Sequence, residues 1–199
     1  GAVNLLVAVE SFAHRAALNQ AGSRTRNFPG TVLFAPISIV ATAVVARAQA
    51  GMNDLEIAHA AYTADLIDIE YAKIALSKTK SAEVKTFAEL MIRDHTAVNE
   101  GAGKLLKKLN VEAKDNDFSK SLRAGADKKE AELKALNGEA FDRAYAANEL
   151  AYHQTVNKVV GEIWLPAVQN AELKTFLDQA LTTFKAHEAH AGHMVTTLK

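Results

Sequence analysis

Ser81-Ala-Glu-Val-Lys-Thr-Phe87 recurs almost unchanged as Asn170-Ala-Glu-Leu-Lys-Thr-Phe176. Each copy begins with a residue that caps helices and places a glutamate in the positively polarised first turn. Each then opens an apolar stripe that steps by three and four. The first stripe is Val84, Ala88, Met91, His95, Val98, Ala102, Leu105 and Leu109; the second is Leu173, Leu177, Ala180, Phe184, His187, Ala191, Met194 and Leu198. A second helical pattern precedes each copy. One starts after Asn53-Asp54, runs to about Ser77 and carries Leu66, Ile67 and Ile74, with Glu70 in the middle of that face. The other runs from Glu139 to about Leu165, where Pro166 ends or kinks it. The chain therefore reads as two helical hairpins, 53–109 and 139–198.

The segment between the hairpins is polar from Asn110 to Asn116, then helical from Asp117 to Leu136, and stops at Asn137-Gly138. A helix of that length returns along most of a bundle. The expected fold is all-α: a ferritin-like four-helix bundle with one long helical crossover.

Composition narrows the function. The 199 residues are 49% hydrophobic and 23% charged, with 23 basic against 23 acidic side chains, so no basic surface calls for nucleic acid. There is no cysteine, which removes disulfides, thiolate metal sites and cysteine nucleophiles. No serine triad, phosphate loop or dinucleotide fingerprint is present.

Residues 1–50 read differently from the rest. Arg24 and Arg26 precede an apolar run, Thr31 to Ala46, which leads to the small-x-small site Ala48-Gln49-Ala50. This is the pattern of a secretory signal, with a transmembrane anchor as the alternative, and the run is short of the about 20 residues that span a bilayer. The expectation is an N-terminal extension with a signal-like segment over 1–50 and one bundle domain over 51–199. The domain would be exported to the periplasm or cell envelope, with no stable membrane span after signal removal. No methionine precedes Met52; upstream sequence read in frame and an unusual start codon are the two explanations. Oligomeric state is open.

Histidine in the apolar stripes is the chemical signal. Three of the seven histidines, His187, His190 and His193, lie in the last helix, followed by Met194. In a crossover bundle the second and fourth long helices start at the same end. His95 and His153 then lie about 14 residues from it, and His187 about 11. One turn away come Glu70, Met91, Glu149 and His190. Inward Glu and His on facing helices make bundle metal sites. The candidate ligands are Glu70, His95, Glu149, His153, His187 and His190, with Met91, Asp94, His193 and Met194 as weaker candidates. Imidazole with thioether favours copper or zinc, with iron or manganese possible. A metal-free network of hydrogen-bonded core histidines is the rival. His59 joins neither layer.

These stretches resemble a known family. Glu70 within Ile67-Asp-Ile-Glu-Tyr-Ala-Lys73, Met91-Ile-Arg-Asp-His95, Phe141-Asp-Arg-Ala-Tyr145, His153 and His187 are similar to exported proteins of domain-of-unknown-function family 4142, often labelled outer-membrane proteins. The resemblance covers about 53–198. It implies a ferritin-like bundle and export, and no established reaction. The family's recurring polar positions fall on Glu70, Asp94, His95, His153 and His187. A small glycine pair usual in the first helix is replaced by Ala64-Asp65, and the last helix is richer in histidine than the pattern requires.

Three functions follow as expectations: a periplasmic metal-binding bundle for sequestration or sensing; a di-metal oxidase or peroxide-consuming enzyme; and a structural or stress-related envelope protein. Whether any reaction is catalysed is left open, with binding favoured over catalysis.

Overall fold

The computed structural model describes residues 51–198; the signal-like segment lies outside them. Within the described residues five long helices follow in order: α1 (Asp54–Lys78), α2 (Ala82–Lys108), α3 (Asp117–Ala135), α4 (Gly138–Val159) and α5 (Ala171–Thr197), with no strand. No described helix is long and apolar enough to cross a membrane.

The caps fall where the polar punctuation put them. The Asn53 side chain accepts from the amides of Leu55 and Glu56, and the Glu56 carboxylate accepts in turn from the Asn53 amide, closing a capping box. Ser81 accepts from Val84 N–H at the start of α2. Asn170 accepts from Glu172 and Leu173 at the start of α5. The two copies of the repeated heptapeptide thus open the second helix of each hairpin. Between α3 and α4 the chain turns at Gly138, whose φ of +58° is readily reached without a Cβ.

α1 packs on α2, and α4 on α5, as the two hairpins; α3 crosses back along α1, and α5 also lies against α2. The direction of α4 is fixed at the first hairpin's turn. Thr79 Oγ1–H donates to Asp142 at 2.6 Å, and Lys78 Nζ donates to the carbonyl of Leu136 at 2.8 Å. α4 therefore starts beside the end of α1 and runs in the same direction as α2. At the opposite end the Asp54 carboxylate accepts from the amides of Gln169 and Asn170, at 2.9 and 2.7 Å. One carboxylate in the first turn of α1 thereby also holds the entry to α5. This is the two-hairpin bundle with a helical crossover that the pattern predicts.

α4 is not one uninterrupted α-helix. Its last part widens into a π turn over Val160–Trp164, followed by a single turn, Leu165–Ala167. Pro166 has no N–H to offer the carbonyl of Glu162, and its ring crowds that carbonyl. Widening the preceding turn accommodates both. It also sends Val160 and Trp164 into the core, where Trp164 is 1% exposed and meets Phe118 of α3 edge-on at 5.9 Å.

The core forms two apolar clusters. One surrounds Phe87, Met91, Phe141 and Tyr145 near the first hairpin's turn. The other surrounds Ile57, Trp164, Leu173 and Leu177 at the far end. A layer of buried polar groups lies along the bundle with them.

Asp54→Ala is expected to lower stability by about 1–2 kcal/mol, the worth of a helix-terminal carboxylate that bonds backbone amides. Asp54→Asn should retain part of it. Urea midpoints of the three proteins check this; an unchanged midpoint in Asp54→Ala would show that the joint between the hairpins is held elsewhere.

Candidate metal centre

α2, α4 and α5 each place one histidine at a common height. The ring centroids of His95 and His153 are 5.7 Å apart, those of His95 and His187 5.2 Å, and those of His153 and His187 5.4 Å. All three are buried, and one ligand atom from each lies within 4.8 Å of those of the other two. Asp68, Glu149 and His153 form a second group that meets the same limit. Asp68 and Glu149 are both 0% exposed.

Each imidazole is held from behind by one nitrogen. His95 Nδ1 pairs with Asp65 Oδ1 at 2.6 Å, His153 Nδ1 with the backbone carbonyl of Glu149 at 3.0 Å, and His187 Nε2 with Asp94 Oδ2 at 2.9 Å. Every one of these partners is an acceptor, so the nitrogen facing it carries the proton. That assigns the tautomers of His153 and His187 and leaves His95 Nε2, His153 Nε2 and His187 Nδ1 as the inward atoms. His153 Nε2 and His187 Nδ1 have no hydrogen-bond partner. Asp68 Oδ2 pairs with His95 Nε2 at 2.6 Å and lies 3.4 Å from His153 Nε2. A carboxylate or backbone oxygen behind each ring, with the opposite nitrogen turned inward, is how metal-ligating histidines are oriented.

Electrostatics sort the groups by protonation. Burial alone would lower His95, but the carboxylates of Asp68 and Asp65 outweigh it and push the imidazole up to about 10. Burial would raise Asp68, but His95 and His153 hold it well below the ordinary carboxylate range. Burial, reinforced by the Asp68 charge, pushes Glu149 well above its ordinary value. Burial raises Asp65 too, with His95 opposing. Burial holds His187 down to about 4 and lowers His153 as well. At neutral pH without metal, His95 is therefore an imidazolium, His153 and His187 are neutral, and burial with the Asp68 charge biases Glu149 towards its protonated form.

The fit to a divalent cation follows from this donor set. Three neutral imidazole nitrogens and two carboxylates suit a first-row transition metal. An ion would displace the His95 proton and give the inward atoms of His153 and His187 a partner. An unpaired buried polar group otherwise costs about 1–3 kcal/mol, more for a charged one.

Not every residue singled out by spacing is in the cage. Glu70 is not: it turns to the crossover, where it pairs with Arg123 of α3, and its side chain is 42% exposed. It lies on the face of α1 covered by α3, so stripe membership misplaced it. His190 is half-buried with its ring edge-on to Phe87 at 5.0 Å, and belongs to neither metal-capable group. His193 is exposed, and its carbonyl closes the last turn of α5 by accepting from Thr196 and Thr197. Met91 and Met194 are fully buried members of the apolar cluster around Phe87. Asp94 holds His187 from outside and is itself paired with Arg93 Nε at 2.7 Å. His59 bonds Ser119 of α3 at 2.8 Å, away from the cage.

Two residues that carry the site went unrecognised in the sequence: Asp65 and Asp68. Asp65 is half of the Ala64-Asp65 pair noted as a departure from the family pattern, and it is the partner of His95. The signals were present. Asp68 stands between Ile67 and Ile69 in a helix covered by α2, α3 and α4, and Asp65 lies as far from the hairpin turn as His95 does.

The family model described as "Domain of unknown function (DUF4142)" matches residues 40–194, from within the signal-like segment to Met194 in α5. No curated protein and no solved structure matches the chain.

The metal-free protein should lose stability as pH rises from about 6.5 through about 10. Across that window folded His95 keeps a proton that the unfolded chain gives up, so deprotonation is linked to unfolding. Glu149, raised in the folded state, acts with the same sign. His95→Gln should flatten the slope. Urea midpoints measured from pH 6.5 to 9.5 with chelator present test this; a flat or rising profile in the parent would contradict the assigned protonation.

Proposed function

The chain belongs to the DUF4142 family, whose name carries no activity, and we propose its function from the cage itself: an exported bundle that binds a transition-metal ion for sequestration or sensing in the cell envelope. The observation that carries the reading is the convergence of ligand atoms from His95, His153 and His187 to within 4.8 Å of one another, beside a second such group of Asp68, Glu149 and His153, all of them buried. His95, His153 and His187 would bind through the nitrogen opposite their Asp65, backbone and Asp94 partners. Asp68 would supply the charge, and Glu149 would join once deprotonated. Three imidazoles keep copper and zinc ahead of iron and manganese. The signal-like segment supports the envelope location.

A second reading has a specific observation behind it. Asp68, Glu149 and His153 form a second group of ligand atoms that shares His153 with the first. Its two carboxylates would suit a di-metal centre of the oxidase or peroxide-consuming type. Stoichiometry separates the readings: one ion per chain supports binding alone, and two ions with oxygen or peroxide consumption support the enzyme.

Untagged protein is expected to contain copper or zinc, and the stripped protein should bind one equivalent. At a metal concentration 100 times Kd, the gain is about 2.7 kcal/mol, or roughly 5–10 °C in Tm for a domain of this size. Binding at pH 7 should release the His95 proton, so affinity should rise with pH while metal-free stability falls. Calorimetry in buffers of different ionisation enthalpy measures the protons. No bound metal, no shift in Tm and no proton release would leave the histidines as a hydrogen-bonded core.

A further inference from the structure

Four of the long helices, α1, α3, α4 and α5, begin at an asparagine. The side chains of Asn53, Asn116 and Asn170 cap their helices by accepting from backbone amides. Asn137, at the start of α4, makes no such bond. Its side-chain oxygen instead accepts from Lys78 Nζ at 3.1 Å. Its side-chain nitrogen and the Gly138 N–H have no hydrogen-bond partner among the described residues. Both residues are exposed, and they form the chain's single Asn-Gly pair.

We infer that Asn137 is a site of self-modification, at which the Gly138 nitrogen attacks the Asn137 side-chain carbonyl carbon with the Lys78 ammonium as oxyanion partner. The bond from Gly138 N to Cγ forms and the bond from Cγ to Nδ2 breaks. The amide nitrogen leaves as ammonia, and the proton that Gly138 loses reaches it through solvent. Nothing is oxidised or reduced. Water then opens the cyclic imide at one of its two C–N bonds. Opening at Cγ leaves aspartate; opening at the main-chain carbonyl carbon leaves isoaspartate.

The local geometry permits the attack at little cost. The ring closes once the peptide plane between the two residues turns from the observed ψ of 161° at Asn137. Turning that plane changes ψ of Asn137 and φ of Gly138 together and leaves the flanking helices in place. Glycine takes φ of either sign, here +58°, and nothing lies within 4 Å of the position a Cβ would occupy. The turn gives up one bond, from Phe141 N–H to the Asn137 carbonyl, and at 3.3 Å that bond is long. As the nitrogen attacks, negative charge collects on Oδ1, the atom that already faces Lys78 Nζ. A second bond from Nζ, to the Leu136 carbonyl at 2.8 Å, holds the ammonium in position for that charge.

The two products act on the joint in opposite senses. Aspartate sets a negative charge beside Lys78 and at the positive end of α4, both favourable. Isoaspartate routes the main chain through the former side chain. It lengthens the link between α3 and α4 by a methylene, against the Lys78 and Thr79 contacts that set the direction of α4.

The full chain is kept at neutral pH and physiological temperature, folded or in guanidinium chloride. Peptide mass spectrometry follows amide-to-acid conversion at Asn137, and enzymatic methylation scores isoaspartate. The folded rate is expected within about tenfold of the rate in denaturant, since one weak hydrogen bond is all that folding adds to the barrier. Lys78→Gln should slow conversion of the folded chain roughly fivefold, the worth of an exposed charge contact, and leave the rate in denaturant unchanged. The isoaspartate form, separated by charge, should melt below the parent. A folded rate lower than this range, or a Lys78→Gln rate equal to the parent's, would overturn the proposal; an isoaspartate form that melts with the parent would overturn its effect on the joint. If Lys78→Gln does not fold, the comparison of the folded parent with the parent in denaturant decides by itself.

Discussion

Everything in the middle of this bundle answers to one constraint: an imidazole between two buried carboxylates, Asp65 and Asp68, each 2.6 Å from one of its nitrogens. Charges so far from water are tolerated only when each has a close counter-charge and its remaining lone pairs are met. His95 meets both acids from α2, and so fixes the register of α2 against α1. It is also the group that Phe184 of α5 covers, ring on ring at 4.9 Å. Three of the four hairpin helices are thus indexed to one side chain, and α4 joins through His153, whose Nε2 reaches the same Asp68 oxygen.

The cage is preorganised by its outer contacts as much as by its inner ones. Asp65, the Glu149 carbonyl and Asp94 lie on three different helices, and each takes one N–H from one ring. The rings are therefore fixed in tautomer and direction before any ligand arrives, and the cost of ordering them falls on folding instead of on binding. Asp94 is the least buried of the three, and Arg93 holds it in turn. Rim charge is linked in this way to the deepest part of the site through His187.

The two ends of the bundle solve different problems. Near the first hairpin's turn, aromatic rings pack tightly, with Phe141 stacked on Tyr145 and Phe87 edge-on to it. At the far end, alanines and a widened turn leave a pocket lined mostly by apolar side chains. Gly101 belongs to the same device. A Cβ there would come within 2.9 Å of the Phe176 ring, which can approach α2 closely only because glycine stands opposite. The dip in helix propensity that glycine brings to late α2 is thus offset by a close interhelical contact.

The amino-acid sequence by itself determined the helices, their caps, the pairing into hairpins and the crossover, because those depend on local periodicity and on punctuation by Asn, Ser, Gly and Pro. It also determined that His95, His153 and His187 share a level, since a constant rise per residue turns position in a helix into height. Only the tertiary structure decided which way each polar residue on α1 faces. That helix is covered by α2, α3 and α4, so it has no single apolar stripe to read, and Glu70 looked inward while nothing singled out Asp65 and Asp68. Which nitrogen of each imidazole is free was likewise settled only in three dimensions. It depends on acceptors contributed by neighbouring helices or by the backbone one turn away, and no spacing along one chain segment encodes that choice.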